Sequence, residues 1–382
     1  MRKISDTIAR LAALQATSRL GSAHTTNDGR LELLSNFGSN PGNLGAMYYL
    51  PPDLNEAAPL VVVLHGCTQT GAGYDHHSGW SQLADEAGFA LLYPEQQRAN
   101  NPNLCFNWFQ PKDVDRGSGE ALSIRQMIET MVVAHKLDRK RIFITGLSAG
   151  GAMAAAMLAV YPEVFAAGAI IAGLPYGCAA TVPEAFDRMR GHGVPSERTL
   201  QQLLRSATNH PGPWPRISIW HGSSDQTVAS ANAKAIASQW LCVHGLASTP
   251  EYSGTQSKLN RQVWCDPSGD ALIEINLISA MGHGTPLGSD GLGTSGPFML
   301  DVGVSSTREI ARSWNIVGQQ GSRSGGSTTD ERIDLQTPVI AQADREEPWP
   351  KPGMQFDQPT KGVHESTKKL IEDALRTAGL MR

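Results

Sequence analysis

The sequence predicts an α/β protein, a mostly parallel central sheet with helices on both faces, and three observations carry that prediction. Leu60-Val-Val-Val-Leu64 is a continuous branched apolar run, the texture of a strand buried on both faces of a parallel sheet. Further strand-sized apolar runs alternate with stretches of helical periodicity, the order that lays crossover helices over such a sheet. A serine flanked by glycines, Gly146-Leu-Ser-Ala-Gly150, lies directly between one of these strands and a helix of small residues.

The elements follow in order. Residues 4–20 place Ile4, Ile8, Leu11 and Ala12 at helical spacing before Gly21 breaks the pattern. Residues 31–37 and 46–50 read as leading antiparallel strands separated by Gly38-Ser-Asn-Pro-Gly42, which is turn chemistry. After the strand at 60–64 come a helix near 79–87 and a strand at 89–93 stopped by Pro94. In residues 118–137 the apolar Ile124, Met127, Ile128, Met131 and Val132 form one buried stripe behind Ser118 as a candidate N-cap. A strand at 141–145 leads through the Gly-Ser turn into the small-residue helix 149–160. Strands at 167–172, 216–220 and 272–278 complete the sheet, with helices near 181–190, 199–208, 229–241 and 305–314.

Beyond Trp314 the pattern dissolves into Gly, Ser, Thr and Gln, and then into a Pro-containing stretch, the composition of a linker. Leu370, Ile371, Ala374, Leu375 and Ala378 restore one helical face at the end, read as a helix docked on its own domain, with a partner-binding helix as the alternative. The organisation expected is therefore an N-terminal helix and lead-in at 1–27, the main domain at 28–316, a flexible linker at 317–362 and an amphipathic helix at 363–382.

Composition excludes several function classes. Apolar residues make up 40% and charged residues 18% of 382, ordinary for a globular chain, and a net charge of −4 supplies no basic field for nucleic acid. No apolar run approaches the roughly 18 residues of a membrane span. Asp6, Thr7 and Arg10 interrupt any signal-peptide core, so the cytoplasm is the compartment expected from sequence. The five cysteines, Cys67, Cys105, Cys178, Cys242 and Cys265, lack the spacing of a zinc site, and an odd count leaves one thiol over. From their positions, Cys67 is expected to pair with Cys105, and Cys242 with Cys265, in an oxidising compartment; such bonds favour an extracellular or periplasmic alternative.

The chemistry centres on Ser148. A chain with this Gly and Ser content would contain G-x-S-x-G by chance about 0.3 times, so the pentapeptide alone decides little. Its context, a strand before and a small-residue helix after, is what a nucleophile elbow requires, because flanking glycines let the backbone turn sharply without a Cβ clash. A serine hydroxyl needs a base to take its proton and a carboxylate to orient that base, in the chain order Ser, Asp/Glu, His. Asp225 and His283 each follow a predicted strand in a loop at its carboxyl end, where open α/β sheets gather their sites. The competing readings are a helix N-cap for Asp225 and an ordinary loop histidine for His283. The oxyanion would take the backbone N–H of Ala149 and, from His65-Gly66-Cys67-Thr68, that of Cys67. Trp108 and His65 are tentative pocket residues, with satellite-core packing as the alternative for Trp108. His221 is read as a structural hydrogen-bonding residue. Gly71-Ala-Gly73 lacks a third glycine and is not placed at the start of a helix after a strand, so no dinucleotide site is expected.

With these residues in view, the chain resembles the polyhydroxybutyrate (PHB) depolymerase family of esterases, related to feruloyl and acetylxylan esterases. The carrying segments are Leu60-Val-Val-Val-Leu-His-Gly-Cys-Thr68, Tyr93-Pro-Glu-Gln-Gln-Arg98, Cys105-Phe-Asn-Trp108, Gly146-Leu-Ser-Ala-Gly-Gly151, Tyr161-Pro-Glu-Val-Phe165, Trp220-His-Gly-Ser-Ser-Asp225 and Met281-Gly-His-Gly-Thr-Pro286. The resemblance implies an α/β-hydrolase fold, a serine esterase, a Ser148-Asp225-His283 triad, an oxyanion hole at Cys67 and Ala149, and no metal or organic cofactor. It implies short hydroxyalkanoate esters or oligomers as substrates, with feruloyl or acetyl esters of plant polysaccharides as the alternative. Crystalline polymer is not expected to be attacked well, since the tail is too short and polar for a polymer-binding domain. A reading of another class, a non-catalytic binder of polyester granules, predicts a damaged triad, whereas all three residue types are present.

Overall fold

The computed structural model describes residues 29–317; the expected helix at 4–20, the linker and the C-terminal helix lie outside them. In chain order the elements are β1 (Glu32–Leu33), β2 (Gly45–Tyr49), β3 (Leu60–Leu64), α1 (Gly71–Ser78), α2 (Trp80–Ala87), β4 (Ala90–Glu95), α3 (Pro111–Val114), α4 (Gly119–His135), β5 (Ile142–Leu147), α5 (Ala149–Val160) and β6 (Ala167–Ile171). There follow α6 (Val182–Met189), α7 (Glu197–Ser206), β7 (Arg216–Gly222), α8 (Ala231–His244), β8 (Tyr252–Gln256), β9 (Leu259–Cys265), β10 (Ala271–Ile278), β11 (Thr285–Leu287), β12 (Met299–Asp301) and α9 (Ser306–Ser313).

The sheet order is β1-β2-β4-β3-β5-β6-β7-β10-β9-β8. Strands β4, β3, β5, β6, β7 and β10 are parallel, while β1 and β2 at one side and β9 and β8 at the other are antiparallel. This is the α/β-hydrolase fold. All five residues of β3 are fully buried, as a branched run between two helical layers requires. Helix α5 is buried along its whole length, and its Ala, Gly and Met side chains let it lie close against the sheet. Because β3 lies between β4 and β5, successive connections leave it in opposite directions, and the loops at the carboxyl ends of β3 and β5 part to form a crevice. The carboxyl ends of β3, β5, β7 and β10 face one edge, so the loops carrying Cys67, Ser148, Asp225 and His283 meet there.

The structure departs from the sequence reading in several places. The strand expected at 31–37 contracts to two residues, and Asn36, with φ 58°, turns the chain away. Gly71 does open a helix, α1, capped by the Thr70 hydroxyl, which accepts from the Gly73 N–H at 3.1 Å. The hairpin of β8 and β9 has no strong apolar alternation, since β8 is largely exposed and β9 buries only Val263 and Trp264. The expected Cys242–Cys265 bond is absent: both are free thiols, Cys242 in the last turn of α8 with its Sγ toward the Gln239 carbonyl, Cys265 at the end of β9. Among the described residues no helix is long and apolar enough to cross a membrane.

Candidate active site

Ser148 links β5 to α5 with φ 57° and ψ −115°, a sparsely populated conformation costing about 1–3 kcal/mol for a residue with a Cβ. The surroundings impose it. Its N–H donates to the Ile171 carbonyl of β6 at 2.9 Å, and its carbonyl accepts from the Ala152 N–H at 2.9 Å. A Cβ on Gly146 would lie 2.4 Å from the Gly150 carbonyl oxygen, and one on Gly150 would lie 2.4 Å from that of His65. The glycines thus serve close backbone approach and seat the elbow against the loop leaving β3. Ser148 keeps part of its surface in solvent while Leu147 and Ala149 are buried.

Asp225 lies in the turn after β7. Its Oδ1 accepts from the N–H groups of Thr227 (2.8 Å) and Val228 (2.9 Å), and its Oδ2 accepts from His283 Nδ1 at 2.7 Å. Helix α8 begins only at Ala231, so Asp225 is not its N-cap. The β7 and β10 loops are laced together, Ser223 N–H to Ile278 O and Ser224 N–H to Met281 O, both at 2.9 Å. Burial opposes ionisation of Asp225, but the His283 and His221 rings outweigh it and hold the carboxyl well below the usual carboxylate range. An ionised carboxylate can only accept, so His283 carries its proton on Nδ1 and leaves the Nε2 lone pair free.

His221 is fully buried; its Nε2 lies 2.8 Å from the Val228 carbonyl and 3.4 Å from Asp225 Oδ2, a hydrogen-bonding place behind the carboxylate. Phe298, far away in sequence, meets the His283 ring edge to face with centroids 6.0 Å apart. It has φ 63°, unusual for a bulky residue, and its carbonyl accepts from Thr285 N–H at 2.8 Å. Nothing in the sequence near Gly296-Pro-Phe298 signals this contact.

No hydrogen bond between described residues uses the N–H of Cys67 or of Ala149. Cys67 is bonded to Cys105, with Cα atoms 4.2 Å apart. Trp108, three residues on, is largely buried in an apolar cluster with Ala149, Ala152, Leu174 and Val228, so it packs against the base of the elbow. His65, a tentative pocket residue, is wholly buried and faces no solvent. Cys178 is a free thiol in the same cluster as Trp108, and burial pushes it up to about 12, which keeps it protonated and unreactive.

The Cys67–Cys105 bond closes a loop of 38 residues, for which chain entropy predicts about 4 kcal/mol of stabilisation. Cys67→Ser with Cys105→Ser is therefore expected to lower the urea midpoint markedly, with an m-value that rises because the unfolded chain without the bond is more expanded. An unshifted midpoint would show that the bond constrains nothing.

Residues 44–256 match the family model described as Esterase PHB depolymerase. Poly(3-hydroxyalkanoate) depolymerase C of Paucimonas lemoignei is 45% identical over 293 residues, covering 75% of this chain and 70% of that protein. The acetylxylan esterase of Coprinopsis cinerea is 31% identical over 265 residues, 68% of this chain and 70% of that one. Feruloyl esterase B of Talaromyces funiculosus is 31% identical over 270 residues, 67% and 73% respectively. Among solved structures, an acetyl xylan esterase from Aspergillus awamori superposes with a TM-score of 0.65 at 24% identity, covering 75% of this chain and 99% of that one.

Proposed function

The chain belongs to the esterase PHB depolymerase family, and from that premise we propose that it hydrolyses short hydroxyalkanoate esters and oligomers through Ser148, His283 and Asp225, within a catalytic domain spanning residues 28–316. The observation that carries the residue assignment is the 2.7 Å contact of His283 Nδ1 with an Asp225 carboxylate whose other oxygen is tied to two backbone N–H groups. It directs the basic Nε2 away from the carboxylate, on the sheet edge that also carries the strained serine turn.

In this reading Ser148 Oγ attacks the ester carbonyl while His283 Nε2 takes its proton. The imidazolium formed is stabilised by Asp225, and the oxyanion accepts from the Cys67 and Ala149 N–H groups. His283 then returns the proton to the departing alcohol, leaving an acyl-Ser148. Water, deprotonated by the same imidazole, releases the acid and restores the serine.

The higher identity to the poly(3-hydroxyalkanoate) depolymerase, 45% against 31%, supports hydroxyalkanoate over feruloyl or acetylxylan esters. A panel of hydroxybutyrate trimer, methyl ferulate, acetylated xylan and p-nitrophenyl esters checks it. The trimer is expected to give the highest kcat/KM of the natural-type esters; preference for ferulate or acetylxylan would overturn the substrate reading and leave the esterase intact. A fluorophosphonate that fails to label Ser148 would instead favour the non-catalytic granule binder.

A further inference from the structure

Behind the oxyanion loop lies a buried polar chain that the proposed mechanism does not use. Glu120, in the first turn of α4, is 1% exposed. Its Oε1 accepts from Gln96 Nε2 at 2.6 Å and Asn107 Nδ2 at 2.9 Å, and its Oε2 accepts from the Asn107 backbone N–H at 2.9 Å. Gln96 Nε2 also reaches the Cys105 carbonyl at 3.1 Å, and the Gln96 backbone N–H donates to His65 Nε2 at 3.1 Å. His65 Nδ1 in turn donates to the Gly66 carbonyl at 2.8 Å. Burial holds the His65 ring down to about 4, so it stays neutral with both nitrogens engaged.

The chain therefore reaches Cys67 from two sides. One branch runs through Gln96 and His65 to the Gly66 carbonyl, which shares a planar peptide group with the Cys67 N–H. The other runs through Asn107 and Cys105, which is bonded to the Cys67 side chain. The Thr68 N–H is fastened to the Asn103 carbonyl at 2.7 Å, so the residue after Cys67 is held as well. A backbone donor is worth most when it is fixed before charge develops, and a shift of about 1 Å can cost on the order of a hundredfold in rate.

We infer that Glu120 is a positioning residue, setting through Gln96, His65 and Asn107 the place of the Cys67 N–H in the oxyanion hole. The inference rests on the triad and oxyanion reading above. Glu120 touches no reacting atom. The side chains that meet it come from three segments, and the titratable group beside it is Asp113, which accepts from the Glu120 backbone N–H. Burial, with the Asp113 charge, pushes Glu120 up to about 8, while the N–H groups of Asn107 and Gln96 aimed at both of its oxygens pull the other way.

The test is Glu120→Gln with Glu120→Ala, assayed on a soluble p-nitrophenyl ester well below each variant's melting temperature. In Glu120→Gln the amide oxygen can keep the two bonds made at Oε1, but the amide nitrogen then faces the Asn107 N–H, donor against donor. The graded expectation is a kcat loss of about tenfold for Glu120→Gln and up to about a hundredfold for Glu120→Ala, with KM little changed, because the oxyanion forms only after binding. If folded Glu120→Gln matches the wild-type kcat, or changes only KM, the inference is overturned. Should Glu120→Ala fail to fold, Glu120→Gln alone decides. Failure of the triad reading would look different: the wild type itself would neither turn over esters nor take label at Ser148.

Discussion

Ser148→Ala is expected to abolish ester hydrolysis, a loss of roughly 10⁴ to 10⁶ in kcat, while the protein unfolds at an unchanged temperature. Alanine keeps the Cβ and therefore the same strained turn, the same Ser148 N–H bond to Ile171 O and the same glycine contacts; only Oγ is gone. His283→Ala should lose activity to a similar degree but differ in stability. Removing the imidazole leaves the fully buried Asp225 side chain with a charged oxygen short of its strongest partner, a cost of about 2–3 kcal/mol. The two variants therefore separate nucleophile from base: equal inactivity, unequal melting. Residual turnover above a hundredth of wild type in Ser148→Ala would mean that another residue is the nucleophile.

The contrast between what the sequence disclosed and what it hid follows the range of the interactions. The placement of Ser148, Asp225 and His283 in loops at one sheet edge is legible because each sits just past a strand whose apolar texture is unmistakable, and parallel strands bring such loops together without further information. The Cys67–Cys105 pair was legible for the same reason, both cysteines lying in loops above that edge. Cys242 and Cys265 are free thiols, a state the sequence does not disclose, since composition and cysteine count carry no information on which side chains face one another. Those two residues belong to a helix end and a strand end.

In the sequence Glu120 has no distinguishing mark, a polar residue beside the apolar stripe of 118–137. Its burial depends on Gln96 and Asn107, which lie 24 and 13 residues away and carry no periodic signature. The exposed hairpin of β8 and β9 went unseen because only two of its residues join the core, too few to leave an alternation. Polar networks and solvent-facing strands are specified by tertiary geometry, and one-dimensional patterns report burial of apolar surface.

Asp225→Asn is expected to lower kcat at neutral pH by about 10⁴, as a change of tautomer at an unchanged position does in a Ser-His-Asp triad. The orientation of the new amide is dictated by its neighbours. Thr227 and Val228 both point N–H groups at Oδ1, so the amide oxygen must stay there, since the reverse orientation sets an NH₂ against two donors. The NH₂ then occupies the Oδ2 place, 2.7 Å from His283 Nδ1, and can only donate to it. His283 must present a lone pair at Nδ1 and carry its proton on Nε2, the nitrogen that would have to accept the Ser148 proton. The folded state keeps both backbone bonds and the His221 Nε2–H bond to the Val228 carbonyl, and loses the weaker approach of that N–H to Oδ2 at 3.4 Å. It follows that Asp225→Asn, although closer in shape, should be no more active than Asp225→Ala, in which the imidazole is free to take either tautomer. Steady-state kinetics of both variants beside thermal melting checks this. Near-native turnover of Asp225→Asn would show that some other carboxylate holds the base.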